Sequence, residues 1–240
     1  MMNIVDIHCH VLPGVDDGPE TMEDTMAVLR EAQRQGIGRM IVTPHFHPGR
    51  YVVPAEQVLY VLQEVRQCAV QEGIDIQLDP GHECYYYSGL LEQIEAGNVL
   101  TMAGTDFVLI EFEPDTLYSS IVGAVRKMRG GGFRPILAHY ERYQCLHQHP
   151  DRLKELRTNG AFFQMNFDRL LDRGILFHPN PWRKQLRDGF VDFLGSDTHG
   201  MDFRPLHAGQ AVEWMLKNIP KETSDAILIR NVNMLRLRDR

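Results

Sequence analysis

The chain has 240 residues, 25 Lys and Arg against 32 Asp and Glu, a formal charge of −7, and 43% hydrophobic residues. That length buries a sizeable core, as one barrel or two small domains, and the even spread of apolar residues excludes a disordered chain. The apolar runs, such as 107–110 and 161–163, fall far below the about 20 residues of a membrane span.

Apolar, β-rich runs recur at 4–7, 40–42, 74–78, 107–112, 135–138, 162–165 and 191–194. Helical patterns lie between them. Residues 21–35 space Met22, Met26 and Leu29 along one face and end at Gly36, a common residue after a helix end. Residues 54–72 carry Val58, Leu62, Val65 and Ala69, and 119–129 carry Ile121, Val122, Val125 and Met128 before Gly130-Gly131-Gly132. Residues 152–159 and 205–218 read the same way, the latter with Ala208, Ala211, Val212 and Met215. Some seven strands alternating with helices predict an α/β protein with a mostly parallel sheet. An open doubly wound sheet is the alternative. A barrel is favoured because polar residues gather just after the apolar runs, where barrel enzymes place their chemistry. No repeat, low-complexity tract or Ser/Pro-rich linker divides the chain, so a single domain over 1–240 is expected.

The start, Met1-Met2-Asn3-Ile4-Val5-Asp6, has no basic and apolar leader pattern, which points to the cytoplasm and to no membrane insertion. There Cys9, Cys68, Cys84 and Cys145 stay reduced, and none forms C-x-x-C. The acidic balance weighs against nucleic acid, and the basic terminus, with Arg230, Arg236, Arg238 and Arg240, is too short to reverse that.

The chemistry-bearing residues sit at the ends of the runs. Asp6-Ile7-His8-Cys9-His10 closes the first, and a period of two puts His8 and His10 on one side with Cys9 on the other. Asp16-Asp17-Gly18 follows in the next loop. Thr43-Pro44-His45, Gly81-His82-Glu83, Glu111, Ala138-His139 and Gly195-Ser196-Asp197-Thr198-His199 close later runs. Singly, each has an ordinary explanation: a structural H-x-H, a helix-capping histidine, a turn, solvated acids. Together they converge if the strands form a barrel, and several carboxylates at one mouth need cations to offset their repulsion. A His and carboxylate donor set without obligatory thiolate suits Mn, Fe, Zn or Mg.

His8-Cys9-His10 followed by Leu12-Pro13-Gly14-Val15-Asp16-Asp17-Gly18 resembles the first motif of the polymerase-and-histidinol-phosphatase (PHP) superfamily. More closely, it is similar to the bacterial PHP-type protein-tyrosine phosphatases of capsule and exopolysaccharide operons. Thr43-Pro44-His45, Gly81-x-Glu83, Ala138-His139-x-Glu141-Arg142-Tyr143 and Gly195-Ser196-Asp197-x-His199 follow in that family's order, so the resemblance runs from residue 4 to about 207. It implies a distorted (β/α)7 TIM-like barrel holding three divalent metal ions, Mn first, with Fe, Zn or Mg as alternatives. His8, His10, Glu83 and Asp197 would hold one ion. Glu83 would bridge to a second, completed by Glu111 and His139. Asp17, His45 and His199 would hold the third, with Asp16 open as the alternative to Asp17. Arg142 and Arg204 match the family's two phosphate-binding arginines. Tyr140 stands where the family usually has Pro, and Gly200 where Asn is common.

The resemblance implies hydrolysis of phosphotyrosine in a protein, the tail cluster of a bacterial tyrosine kinase controlling capsule or exopolysaccharide synthesis, by a metal-bound hydroxide. His45 or His199 could assist a phenol leaving group. The alternatives are a small-molecule phosphatase acting on histidinol phosphate, a nucleotide phosphoesterase, and a metal-binding module without turnover. A phosphocysteine route needs Arg six residues after Cys, and those positions hold Val15, Ile74, Leu90 and Asp151; Cys9 is expected to pack behind the site. Tyr85-Tyr86-Tyr87 could wall the mouth or fill space, with His47, Arg50 and Tyr51 as rim candidates. Trp182 and Trp214 are expected to pack, and His147 and His149 to be solvated.

Overall fold

A computed structural model of the chain describes residues 3–172 and 180–236. Ten strands appear in it: β1 (Ile4–Cys9), β2 (Ile37–Val42), β3 (His45–His47), β4 (Tyr51–Val52), β5 (Gln77–Pro80), β6 (Glu83–Tyr85), β7 (Phe107–Glu111), β8 (Arg134–Leu137), β9 (Phe162–Asn166) and β10 (Phe193–Gly195). The α-helices that alternate with them are α1 (Met22–Arg34), α2 (Ala55–Gln71), α3 (Leu90–Glu95), α4 (Tyr118–Gly130), α5 (Pro150–Thr158), α6 (Pro181–Arg187) and α7 (Ala208–Asn218), followed by helical turns between Lys221 and Met234. Among the described residues, no helix is long and apolar enough to cross a membrane. Arg238 and Arg240 lie outside the described residues.

The strands form two sheets, β1-β2-β5 and β10-β9-β8-β7-β6-β3-β4, parallel throughout except for the β3–β4 pair. The α/β class with a parallel sheet is therefore as expected. The sheets adjoin at two places. The chain passes from β2 to β3 through Thr43-Pro44 and from β5 to β6 through Gly81-His82, with the Glu83 amide donating to the Pro44 carbonyl at 3.1 Å. At the far side the Asp197 amide donates to the His8 carbonyl at 2.8 Å and the His10 amide to Thr198 at 2.9 Å.

Both strand faces are buried, as parallel sheets require. Val5, Ile7, Ile41, Phe107, Leu109, Ile136 and Phe193 form one cluster. Ile4, Met40, Val42, Val108, Ile110 and Leu137 pack in a second with the apolar faces of the helices. Cys9 has the parity of Val5 and Ile7 yet lies in the second cluster. The β1–β2 register shifts between Asp6 and Cys9, an irregularity that re-aims the end of β1.

Two predicted strands begin later than their apolar runs, each behind a closed helix end. After α2, Gly73 (φ +70°) takes the left-handed conformation, and the Ile74 amide closes the helix onto the Ala69 carbonyl at 2.9 Å. After α6, Gly189 (φ +76°) and the Phe190 amide on Gln185 do the same. These apolar residues are helix terminators whose side chains seal the last turn. At α1, Thr21 accepts from the Asp24 amide while the Asp24 carboxylate accepts from the Thr21 amide, a reciprocal cap.

Candidate metal centre

The predicted site residues come from six strand ends and gather in one place. His8 and His10, at the end of β1, bring their Nε2 atoms to 3.2 Å of each other. Glu83, at the start of β6, presents Oε2 at 3.3 Å from His8 and 3.2 Å from His10. Asp197 Oδ1 lies 3.6 Å from both. On the other side of Glu83, His139 Nε2 is 2.9 Å from Oε1, and Glu111, the last residue of β7, is 3.3 Å from the same nitrogen. His45, opening β3, puts Nδ1 at 3.1 Å from Glu83 and 3.8 Å from Glu111, and Nε2 at 3.4 Å from Asp17. His199 Nε2 is also 3.4 Å from Asp17. Gly195 permits this convergence, because a Cβ there would lie 2.6 Å from the Cβ of His8.

The geometry separates the two neighbouring aspartates. Asp17 reaches the cluster. Asp16 turns away from it, accepting from the amides of His45 (3.0 Å) and Gly18 (3.0 Å) and lying 2.8 Å from His10 Nδ1.

Three histidines are held through Nδ1 by an oxygen: His8 by Gln164 Oε1 (3.0 Å), His10 by Asp16, and His199 by the Asp197 carbonyl (2.9 Å). Each Nδ1–H donates outward, which leaves the Nε2 lone pair facing the cluster, the tautomer a metal-ligating imidazole needs. Gln164 also accepts from the His139 amide at 2.7 Å and donates to Asn166, whose side chain donates to Asp197 at 3.1 Å. Neither amide residue was singled out in the sequence. Both lie on β9, are buried, and support the acids and histidines from behind.

The electrostatics are those of a cation site holding protons. Burial alone would raise the Glu83 carboxyl, yet His8, His45, His10 and His139 hold it well below the usual range. Burial and Arg142 pull His139 down, but Glu111 and Glu83 push it up to about 9. Burial also opposes His10, which Asp16 and Glu83 carry well above its ordinary value. Among the described residues, Glu83 Oε2 and His45 Nδ1 are buried with no hydrogen-bond partner. One donor atom each from His8, His10, Glu83 and Asp197 lie within 4.8 Å of one another. The same holds for His10, Asp17, His45 and His199, and for His45, Glu83 and Glu111. This all-nitrogen-and-oxygen set fits hard or borderline divalent cations.

Arg142 and Arg204 both pair with Asp197, Arg204 at 3.2 Å from each carboxylate oxygen. His139, Asp197 and Arg204 have φ values of +29°, +52° and +51°, a conformation non-glycine residues adopt only when their surroundings enforce it. A cavity of about 220 Å³ opens over the cluster, lined by both arginines, Asp17, His45, Glu83, Glu111, His139 and Asp197. The rim candidates His47, Arg50 and Tyr51 line it too. The tyrosine triplet divides. Tyr85 lines the cavity with its ring 4.0 Å from that of His47, whereas Tyr86 and Tyr87 pack on the core.

Cys9 is fully buried and donates to the Ile41 carbonyl. Trp182 and Trp214 pack against the core, and His149 is exposed. His147, expected to be solvated, instead lies 2.7 Å through Nε2 from the Glu141 carbonyl and packs edge-on to Trp182, because its loop folds back over α6.

Fold and site thus define an α/β protein whose strand ends assemble a histidine and carboxylate centre suited to divalent cations. The chain belongs to the family described as capsular polysaccharide synthesis, CpsB/CapC, which it matches over residues 4–236. It is 29% identical to the tyrosine-protein phosphatase CpsB of Streptococcus agalactiae, over 97% of this chain and 98% of that one. It is 28% identical to the tyrosine-protein phosphatase YwqE of Bacillus subtilis, over 97% and 94%. A crystal structure from the set of YwqE from Bacillus subtilis and CpsB from Streptococcus pneumoniae, described as unique metal-dependent tyrosine phosphatases, superposes with a TM-score of 0.88 at 26% identity, covering 99% of this chain and 97% of that one. An organophosphorus hydrolase variant from Deinococcus radiodurans shares the fold at a TM-score of 0.60 and 14% identity, over 98% and 93%.

Proposed function

We propose that this protein is a metal-dependent protein-tyrosine phosphatase acting on the phosphotyrosine cluster of a bacterial tyrosine kinase that controls capsule or exopolysaccharide synthesis. The observation that carries this reading is the meeting of Asp17, Glu83, Glu111 and Asp197 with five histidines beneath a cavity edged by two arginines. The named activity of the relatives supports it.

In this reading the two sheets act as one distorted (β/α)7 barrel of the PHP type, a single domain over 1–240. The continuity of β2 with β3 and of β5 with β6, and the backbone bonds joining β1 to the segment after β10, support it. The centre would hold three ions, Mn first. His8, His10, Glu83 and Asp197 would serve one; Glu83, Glu111 and His139 the second; Asp17, His45 and His199 the third.

The bound ions would supply Lewis acidity and a water acidic enough to attack phosphorus near neutral pH. The chain's own residues do the rest. Arg142 and Arg204 keep donors free beyond those given to Asp197, since a guanidinium carries five, and their planar forks match phosphoryl oxygens. Asp197 holds both forks at the cavity edge. Tyr85, Tyr51 and Phe112 wall the space that a phenol ring would occupy. A phenol, with pKa about 10, departs with little protonation, so the site needs no dedicated general acid. Burial pushes the thiols of Cys9 and Cys84 up, away from the thiolate a cysteine nucleophile requires.

Turnover of phosphotyrosine peptide, histidinol phosphate and an oligonucleotide, before and after complete chelation and with Mn restored, tests this. Activity confined to the peptide and dependent on metal is expected. Full peptide activity after chelation, or a faster rate on either other substrate, overturns the reading.

A further inference from the structure

Arg142 and Arg204 line two cavities. Besides the one over the acidic cluster, they border a second of about 180 Å³ with Asn166, Phe167, Asp168, Arg169, Ser196, Pro205 and His207. The two spaces differ in charge. The first carries the carboxylates of Asp17, Glu83, Glu111, Glu113 and Asp197. The second is lined by three arginines and one histidine against a single carboxylate, Asp168.

We propose that this second cavity is an anion subsite that takes a further negatively charged group of the substrate protein, a carboxylate or phosphate near the scissile phosphotyrosine, with Arg169 as its specificity-determining residue. The inference rests on the phosphotyrosine-protein reading above. Because Arg142 and Arg204 are shared, a phosphoryl group on one side of them and an acidic neighbour on the other meet the same two guanidiniums. The first cavity is taken by the scissile phosphoryl group; an acidic neighbour directed into the second faces Arg169.

Arg169 has the position and the spare capacity for this role. It sits just after β9, three residues beyond Asn166, and its side chain is one-third exposed. Among the described residues, Asp172 is its nearest carboxylate, at 3.3 Å, with Glu141 and Asp168 at 3.8 and 3.9 Å. Among those residues its buried Nε has no hydrogen-bond partner. His207 occupies the N-cap of α7 with no side-chain cap bond, so the positive end of that helix dipole adds to the field. A guanidinium flanked by the Asn166 side-chain amide, which has one N–H beyond the one given to Asp197, is chemistry that recognises oxyanions.

The test uses the full-length, metal-loaded protein and three peptides that share one phosphotyrosine and differ at the adjacent residue: Gln, Glu or a second phosphotyrosine. The expected result is kcat/KM about five- to tenfold higher for the charged peptides, carried by KM and compressed at high salt. Arg169→Gln should bring both ratios below about twofold, while Arg169→Lys keeps part of the preference. A gain with phosphotyrosine alone assigns the subsite to phosphate; equal gains assign it to any anion. Equal rates on all three peptides, or a preference that survives in a folded Arg169→Gln protein, overturn the subsite. Failure to turn over any of the peptides overturns the phosphatase reading, and the subsite with it.

Discussion

At the scale of single residues, function divides between side chains that face the cavity and side chains that hold them. Arg142 faces it. Arg142→Ala should lower turnover of phosphotyrosine peptide by about 10²- to 10³-fold, the usual effect of losing one preorganised donor, while metal content by elemental analysis stays unchanged. Gln164 holds. Its carbonyl oxygen serves both His8 Nδ1 and the His139 amide, so Gln164→Leu strands two buried donors. Metal affinity, read by competition with a chromophoric chelator, should weaken about 10- to 100-fold, as for other supporting residues behind metal ligands. Gln164→Glu, which keeps an acceptor, should retain most of it. Only the first kind of residue was legible in the sequence. His8, His10, His45 and Asp197 announce themselves as ionisable types at the ends of apolar runs. Gln164 and Asn166 are neutral amides inside a strand, and their alternation with Phe163 and Met165 looks like any half-buried β pattern. The choice between Asp16 and Asp17 depended on which way one loop turns. Adjacent identical residues carry no signal of that.

At the scale of elements, the site depends on two strands that break. β2 resumes as β3 after Thr43-Pro44, and β5 as β6 after Gly81-His82. Each break sets a residue of the cluster, His45 or Glu83, at the start of a short strand in the second sheet. The sequence indicated long strands but not these restarts, since three-residue strands have too few residues to show a period. At the second break His82 ties two other loops to the strand. Its Nε2–H donates to the Val53 carbonyl at 3.1 Å, and its Nδ1 accepts from the Leu100 amide at 2.9 Å. Only a neutral imidazole can do both, and burial lowers His82 to about 4. A histidine with a depressed folded value binds more protons when unfolded, so its contribution is complete above pH 6.5 and lost as the pH falls toward 4. The difference of about 2.5 units corresponds to about 3 kcal/mol. In the metal-free protein, the gap in unfolding free energy between wild type and His82→Gln should therefore narrow from pH 7 to pH 4. A constant gap would mean that the imidazole titrates normally.

At the scale of the whole molecule, the centre ties together parts of the chain that the backbone joins only loosely. β1 meets the segment after β10 through a few backbone bonds, and His8, His10, Asp197 and His199 face one another across that seam. Cations bound there would cross-link residues 8 through 199, so metal removal should lower the melting temperature of the entire chain. At a free metal concentration about 100 times Kd, the stabilisation is about 2.7 kcal/mol, or some 5–10 °C for a chain this size. The effect has a pH sign. In the metal-free protein, Glu111 and Glu83 lift His139 to about 9 from 6.5. That raised value stabilises the metal-free fold fully below pH 6.5, by about 3 kcal/mol, and the contribution fades as the pH rises through 9. A metal needs the same nitrogen unprotonated, so binding releases protons and strengthens over the same window. The metal-dependent rise in melting temperature should grow between pH 6.5 and pH 9, with proton release detectable in a weakly buffered calorimetric titration. A rise in melting temperature that stays constant across that window would mean that His139 does not contribute a ligand nitrogen.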